Sequence, residues 1–125
     1  MPAVFKDLVL DAGDHHKLAD WWCTAMGYRR RDELRPPPEA ADGWIRPQEW
    51  PVPIVDPAGN GPAIWVQSVP EPKVVKNRMH IDVFGNVDEL IGLGARLVRQ
   101  RDDVEIDFNV LADPEGNEFC VFDPR

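Results

Sequence analysis

Apolar and polar positions along this chain form two series of short periodic segments separated by turns. Val4 to Leu10 reads V-F-K-D-L-V-L, β-rich with imperfect alternation, and places Phe5, Asp7 and Val9 on one face. Asp14 then precedes Leu18, Trp21, Trp22, Ala25 and Met26, which recur as one helical stripe, and Gly27 supplies the stop. The pattern predicts a helix packed on a sheet. His15 and His16 fall in its first turn and point in different directions, so they are expected as solvated helix-start residues rather than a metal pair. Tyr28 to Leu34 reads as a strand with a basic edge at Arg29, Arg30 and Arg31, a solvated face by default and a dock for an anionic group as the alternative. From Arg35 to Pro53, prolines 36, 37, 38, 47, 51 and 53 interleave with Trp44 and Trp50. Prolines keep this stretch out of a central strand and out of a helix interior, leaving a long ordered loop or an edge strand. Its two indoles suit a lid over a site, or anchors that hold the loop down.

The second series begins after a strand at Ala63 to Val69 and an extended, charged connector, Val69 to Arg78. Met79, Ile81 and Val83 share one face of the next strand, and His80, Asp82 and Phe84 share the other. A short helix at Val87 to Leu93, strands at Ala95 to Val98 and Glu105 to Leu111, and a hairpin over Val110 to Phe122 complete it. In that hairpin Glu118, Cys120 and Phe122 lie on one face, while Phe119 and Val121 lie on the other. Both faces are apolar, which predicts a strand covered on both sides. Glu118 is the exception: its carboxylate either finds a hydrogen-bond partner, a proton or a metal ion, or sits at the wet end beside the turn. The hairpin turn, Asp113 to Asn117, repeats the D-P-x-G-N of Asp56 to Asn60 at an offset of 57 residues. Each copy precedes a short apolar strand, and each half opens with a strand and then a helix. Internal duplication is the economical explanation.

Composition narrows the partners. Fourteen Lys and Arg against 22 Asp and Glu give a net charge of −8, which argues against nucleic acid, whose binding draws on cationic side chains. A cationic or neutral small ligand is compatible with it. Hydrophobic residues at 43% and five tryptophans specify a folded core. Cys23 and Cys120 are the only cysteines and lie in separate apolar stretches, so buried reduced thiols are expected. No run approaches membrane-spanning length, and the expectation is a soluble cytoplasmic protein with no membrane partner.

Two stretches carry a family resemblance: K-N-R-M-H-I-D-V at Lys76 to Val83 and L-A-D-P-E-G-N-E-F-C-V-F at Leu111 to Phe122. Together they resemble the glyoxalase, bleomycin-resistance and extradiol-dioxygenase superfamily, also called vicinal oxygen chelate, and in particular its small glyoxalase-like members. D-A-G-D-H-H-K-L-A-D-W-W at Asp11 to Trp22 is similar to that family's first strand-to-helix passage. The resemblance implies an α+β fold of two βαβββ modules, their sheets curled around a central cleft. It implies module one at residues 1–69, a connector at 70–78 and module two at 79–125. Metal-dependent members place one ligand on the first and one on the last strand of each module. Carried over, His80 and Glu118 match the second module's ligands, and Asp7 and Gln67 occupy the corresponding positions of the first. With one histidine, iron-dependent ring cleavage is disfavoured, and Ni²⁺, Co²⁺, Zn²⁺ or Mn²⁺ suits the set better.

Two functions follow from the resemblance. One is a metal-dependent lyase or isomerase in which the ion polarises adjacent substrate oxygens and Glu118 acts as general base. The other is a metal-free protein that sequesters a small cationic or aromatic molecule with Trp65, Phe108 and one or both of Trp44 and Trp50, Cys120 being a further ligand-binding candidate. A homodimer is implied by the family alone.

Overall fold

A computed structural model describes residues 2–38, 40–102 and 106–125 of this chain. It divides into two units, Met1–Pro72 and Lys73–Arg125. The first contains β1 (Leu8–Ala12), α1 (His15–Met26), β2 (Arg29–Arg30), α2 (Arg31–Leu34), β3 (Val52–Val55) and β4 (Ile64–Ser68), with sheet order β1-β4-β3-β2. The second contains β5 (Asp82–Phe84), α3 (Val87–Gly92), β6 (Arg96–Arg99), β7 (Asn109–Ala112) and β8 (Glu118–Phe122), ordered β5-β8-β7-β6. The two orders are the same. In each unit the first strand runs parallel to the last, and the remaining pairs are antiparallel.

The two D-P-x-G-N turns have matching geometry, as duplication requires. The Asp56 carboxylate accepts from the N–H groups of Ala58 (2.9 Å) and Asn60 (3.0 Å), and that of Asp113 accepts from Glu115 and Asn117 (both 2.9 Å). Gly59 and Gly116 take the positive φ of 76° and 90° that closes each turn. The copies differ in burial, because Asp113 is only 3% exposed and Asp56 is half-buried. They also differ in the inserted Gly61-Pro62, where Tyr28 Oη donates to the Pro62 carbonyl. A Cβ at Gly61 would run into the Tyr28 hydroxyl oxygen.

α1 forms where its pattern places it. Asp14 accepts from the Lys17 N–H, and Gly27 ends the helix in the left-handed region. Its face of Leu18, Ala19 and Trp22 is buried over β3 and β4, among them Val52, Ile54, Ile64 and Val66. Burial of Leu18 alone contributes roughly 1.5–3 kcal/mol. In the second unit the matching core is Leu90 of α3 with Leu111, Phe119 and Val121.

Several expectations are corrected. β1 starts at Leu8 rather than Val4, since its first ladder bond runs from the Leu8 N–H to the Ala63 carbonyl, and Val4 and Phe5 are exposed. Likewise β5 starts at Asp82, so His80 precedes the strand. Tyr28 to Leu34 is a two-residue strand followed by a turn of helix, where Arg29 reaches Glu33 at i,i+4. Pro53 lies inside β3, between β2 and β4. It is tolerated because β2 stops opposite Ile54, so no strand stands across Pro53 on that side. Of the strand expected at Glu105 to Leu111, Glu105 lies outside the described residues, and β7 begins at Asn109.

His15 is not solvated but 8% exposed. Its Nε2–H donates to the carbonyls of Gln48 (3.0 Å) and Trp50 (3.1 Å), and that of His16 donates to the Gln48 carbonyl at 2.7 Å. A carbonyl only accepts, so both rings carry a proton on Nε2, and His16 Nδ1 accepts from Arg30. These bonds tie the proline-rich loop to the start of α1.

The unequal burial of the two turns predicts unequal costs. Asp113→Ala strands two main-chain donors away from water and lowers stability by roughly 2–4 kcal/mol, whereas Asp56→Ala lowers it by about 1 kcal/mol or less. Urea unfolding of the two variants checks the difference, and equal losses would contradict it.

Candidate functional site

In the second unit, Asp82 pairs with Cys120 across the parallel β5–β8 ladder, so both side chains leave the sheet on the same side. His80 turns Nδ1 to Asp82 Oδ1 at 3.0 Å. One ligand atom from each of His80, Asp82 and Cys120 lies within 4.8 Å of the others. His80 and Asp82 are exposed, and Cys120 is buried. Burial pushes the Cys120 thiol above its ordinary range, and the Asp82 carboxylate, which accepts from the thiol, pushes it the same way.

Glu118 opens β8 and leaves the sheet on the side of Cys120. Its carboxylate meets Lys73 Nζ at 2.7 Å and the Asn77 N–H at 3.2 Å. Desolvation raises its proton affinity, but the bonds from Lys73, its own backbone and Asn77 together outweigh this, and Glu118 titrates below the usual carboxylate range. Asn77 also donates its side-chain amide to Asn117. The segment that leads to His80 is therefore fastened to the start of β8. Phe108 places its ring 5.1 Å from that of Phe122, which leaves β8 on the side of Cys120.

In the first unit, Asp7 precedes β1 and shares a sheet face with Trp65 and Gln67, because Val9 pairs with Trp65 and Asp11 with Gln67. Asp7 accepts from the Trp65 indole N–H at 2.9 Å and pairs with Lys6 at 2.6 Å. The Lys6 bond, then the Trp65 bond, hold its carboxyl below the usual range. Gln67 is engaged differently: its amide donates to Asp11 at 2.8 Å. The four residues expected as ligands thus fall two and two, Asp7 and Gln67 in the first unit, His80 and Glu118 in the second.

Trp65 also forms part of a cavity of about 230 Å³ with Trp44 and Trp50 from the long loop, Pro37, Arg31 and Arg46. Arg46 stacks over Trp44 at 5.2 Å and over Trp65 at 5.7 Å, while its guanidinium grips Asp32 through two bonds of 2.6 and 3.1 Å. Arg31 lies over Trp65 at 4.9 Å. Three of the four aromatic residues expected around a ligand, Trp44, Trp50 and Trp65, meet here, and Phe108 belongs to the second unit.

Residue patterns alone do not single out Asp82, Lys73 or Arg46 for a site, whereas Arg31 belongs to the basic run for which an anionic dock is the alternative reading. The H-x-D spacing of His80 and Asp82 was a usable signal, since alternate residues of an extended chain face the same way. Arg46 offered none, because its partner Asp32 is reached only across the loop.

Residues 7–122 match the model of a family described as glyoxalase-like domain. No curated protein matches the chain significantly. Among solved structures, a glyoxalase/bleomycin resistance protein/dioxygenase family enzyme from Burkholderia phytofirmans PsJN is similar with a TM-score of 0.64 at 16% identity, over 95% of this chain and 97% of that one. A variant of the fosfomycin resistance protein FosX from Listeria monocytogenes, complexed with Mn(II) and dihydroxypropylphosphonic acid, has a TM-score of 0.64 at 13% identity, over 100% and 93%. TioX from Micromonospora sp. ML1 has a TM-score of 0.51 at 20% identity, over 95% and 97%. These likenesses establish the fold, α+β with two four-stranded modules, as the resemblance in sequence implied.

The Glu118 pairing makes a pH prediction. A carboxylate whose folded pKa is depressed contributes stability above its unfolded value, and that contribution disappears as pH falls through the folded value. Stability is therefore expected to decline below about pH 4.5. Lys73→Met should lose about 1–2 kcal/mol at neutral pH and show a shallower acid decline. Parallel acid slopes for the two proteins in urea unfolding would contradict this.

Proposed function

Starting from the fact that this chain belongs to the glyoxalase-like domain family, we propose that it is a divalent-metal-dependent lyase or isomerase acting on a small oxygenated substrate. The observation that carries the reading is the grouping of imidazole, carboxylate and thiol at His80, Asp82 and Cys120. Donors around a tetrahedral ion at about 2.0–2.3 Å stand roughly 3.5 Å apart. His80 and Asp82 are already that close, and both are exposed side chains free to adjust. The residues therefore fit a metal. A donor set containing a thiolate suits Zn²⁺ or Co²⁺ better than Mn²⁺, the ion named with the Listeria protein. When bound, such an ion supplies a Lewis acid for adjacent substrate oxygens.

The chain's own residues supply the rest. Without an ion, Asp82 pairs with His80 Nδ1 and so orients the ring; an ion held by both residues would take the place of that hydrogen bond. Glu118, expected from the resemblance as ligand and base, is committed to Lys73 and Asn77, and we assign it the positioning of the segment that carries His80. A carboxylate of lowered proton affinity is also a weak base, which favours this role over proton abstraction. Asp7 and Gln67 keep their partners Lys6, Trp65 and Asp11, and the reading places no metal on them.

Cobalt titration of chelator-stripped protein tests the proposal. One equivalent of Co²⁺ is expected to bind with a thiolate-to-cobalt charge-transfer band. That band should vanish in Cys120→Ser, and affinity should fall about 100-fold or more in His80→Ala. Because the Cys120 proton must leave on binding, affinity should climb with pH through the neutral range. A missing band, or equal binding by His80→Ala, would defeat the assignment.

A further inference from the structure

The three consecutive arginines that follow Tyr28 go to three different places. Arg29 pairs with Glu33, and Arg30 pairs with Asp20 at 2.8 Å. Arg31 meets no carboxylate among the described residues; its contact is the face of Trp65. Around it the other charges are matched: Lys6 with Asp7, and Arg46 with Asp32 through both guanidinium bonds. Among the described residues that line the cavity with Trp44, Trp50 and Trp65, Arg31 is therefore the cation with no carboxylate bonded to it, within a chain of net charge −8.

We propose that this cavity binds a small planar aromatic carboxylate, with Arg31 pairing with the carboxylate and the ring lying among the indoles of Trp44, Trp50 and Trp65 that line the space. The site lies wholly in the first unit and goes beyond the metal reading, on which it does not depend. A guanidinium presents a planar fork of donors matched to a carboxylate, and stacking over an indole leaves its edge available to bond. One unmatched charge balances one negative charge. A dianion such as phosphate would also face the nearby carboxylates of Asp7 and Asp32, on both of which the Arg31 charge is felt. A cationic guest, compatible with the overall acidity, would meet two guanidiniums at the cavity itself. At about 230 Å³ the space corresponds to roughly eight waters in volume, which suits a guest of about ten non-hydrogen atoms.

Benzoate, benzamide, benzylammonium and inorganic phosphate are the probes, titrated against the full chain by calorimetry and ligand-observed NMR with chelator present throughout. Benzoate is expected to bind saturably and at least about tenfold more tightly than the other three. Arg31→Gln should reduce benzoate to the level of benzamide, Arg31→Lys should retain part of the preference, and Arg29→Gln should leave it unchanged. Equal binding of benzamide, preference for benzylammonium or phosphate, no saturable benzoate signal, or an unaltered Arg31→Gln would each overturn the proposal. Thermal unfolding of the variants keeps loss of binding distinct from loss of fold. Failure here with cobalt binding intact leaves the metal proposal standing, and the converse also holds.

Discussion

Each unit depends on a parallel pairing between its first strand and its last, β1 with β4 and β5 with β8. Parallel neighbours cannot be joined by a tight hairpin, so the intervening helix and two strands form the crossover that this pairing demands. The last strand enters its slot from the Asp-Pro turn, whose carboxylate gathers the main-chain donors of the reversal. A slip of one residue there would turn Cys120 and Glu118 to the opposite face and bury them against Leu90, so the turn also decides where the chemistry faces.

That architecture was legible because it is written in local terms. The repeated D-P-x-G-N, the Asp14 cap, the Leu18 to Trp22 stripe and the Gly27 stop each act within a few residues, and all four hold. Strand starts were less legible, since Val4 and Phe5 have strong β propensity but no partner, and pairing rather than propensity sets where a ladder begins. Pro53 illustrates the same point. A rule about proline in central strands assumes that both flanks are occupied, and here one flank has ended.

The chemistry was legible in part. His80 and the acid beside it could be read from the alternation of one strand, but their company could not. Cys120 reaches Asp82 through a ladder that joins positions 38 residues apart, and Glu118 is answered by a lysine in what read as an extended, charged connector. In the first unit the run Arg29 to Arg31 marked the place, and the pairing of its charges had to be traced in space. Only when the three consecutive arginines are followed to their partners does Arg31 differ from Arg29 and Arg30, in meeting no carboxylate among the described residues. Overall acidity gave no guide to the guanidiniums that line this cavity.

The fastening of the proline-rich loop has an evolutionary corollary. His15 and His16 grip the peptide carbonyls of Gln48 and Trp50, and a carbonyl is supplied by every residue type. The attachment is therefore indifferent to the side chains on the loop. Substitution around positions 44 to 50 can alter what the loop presents while its tether persists, so a lineage is free to retune the guest without rebuilding the scaffold.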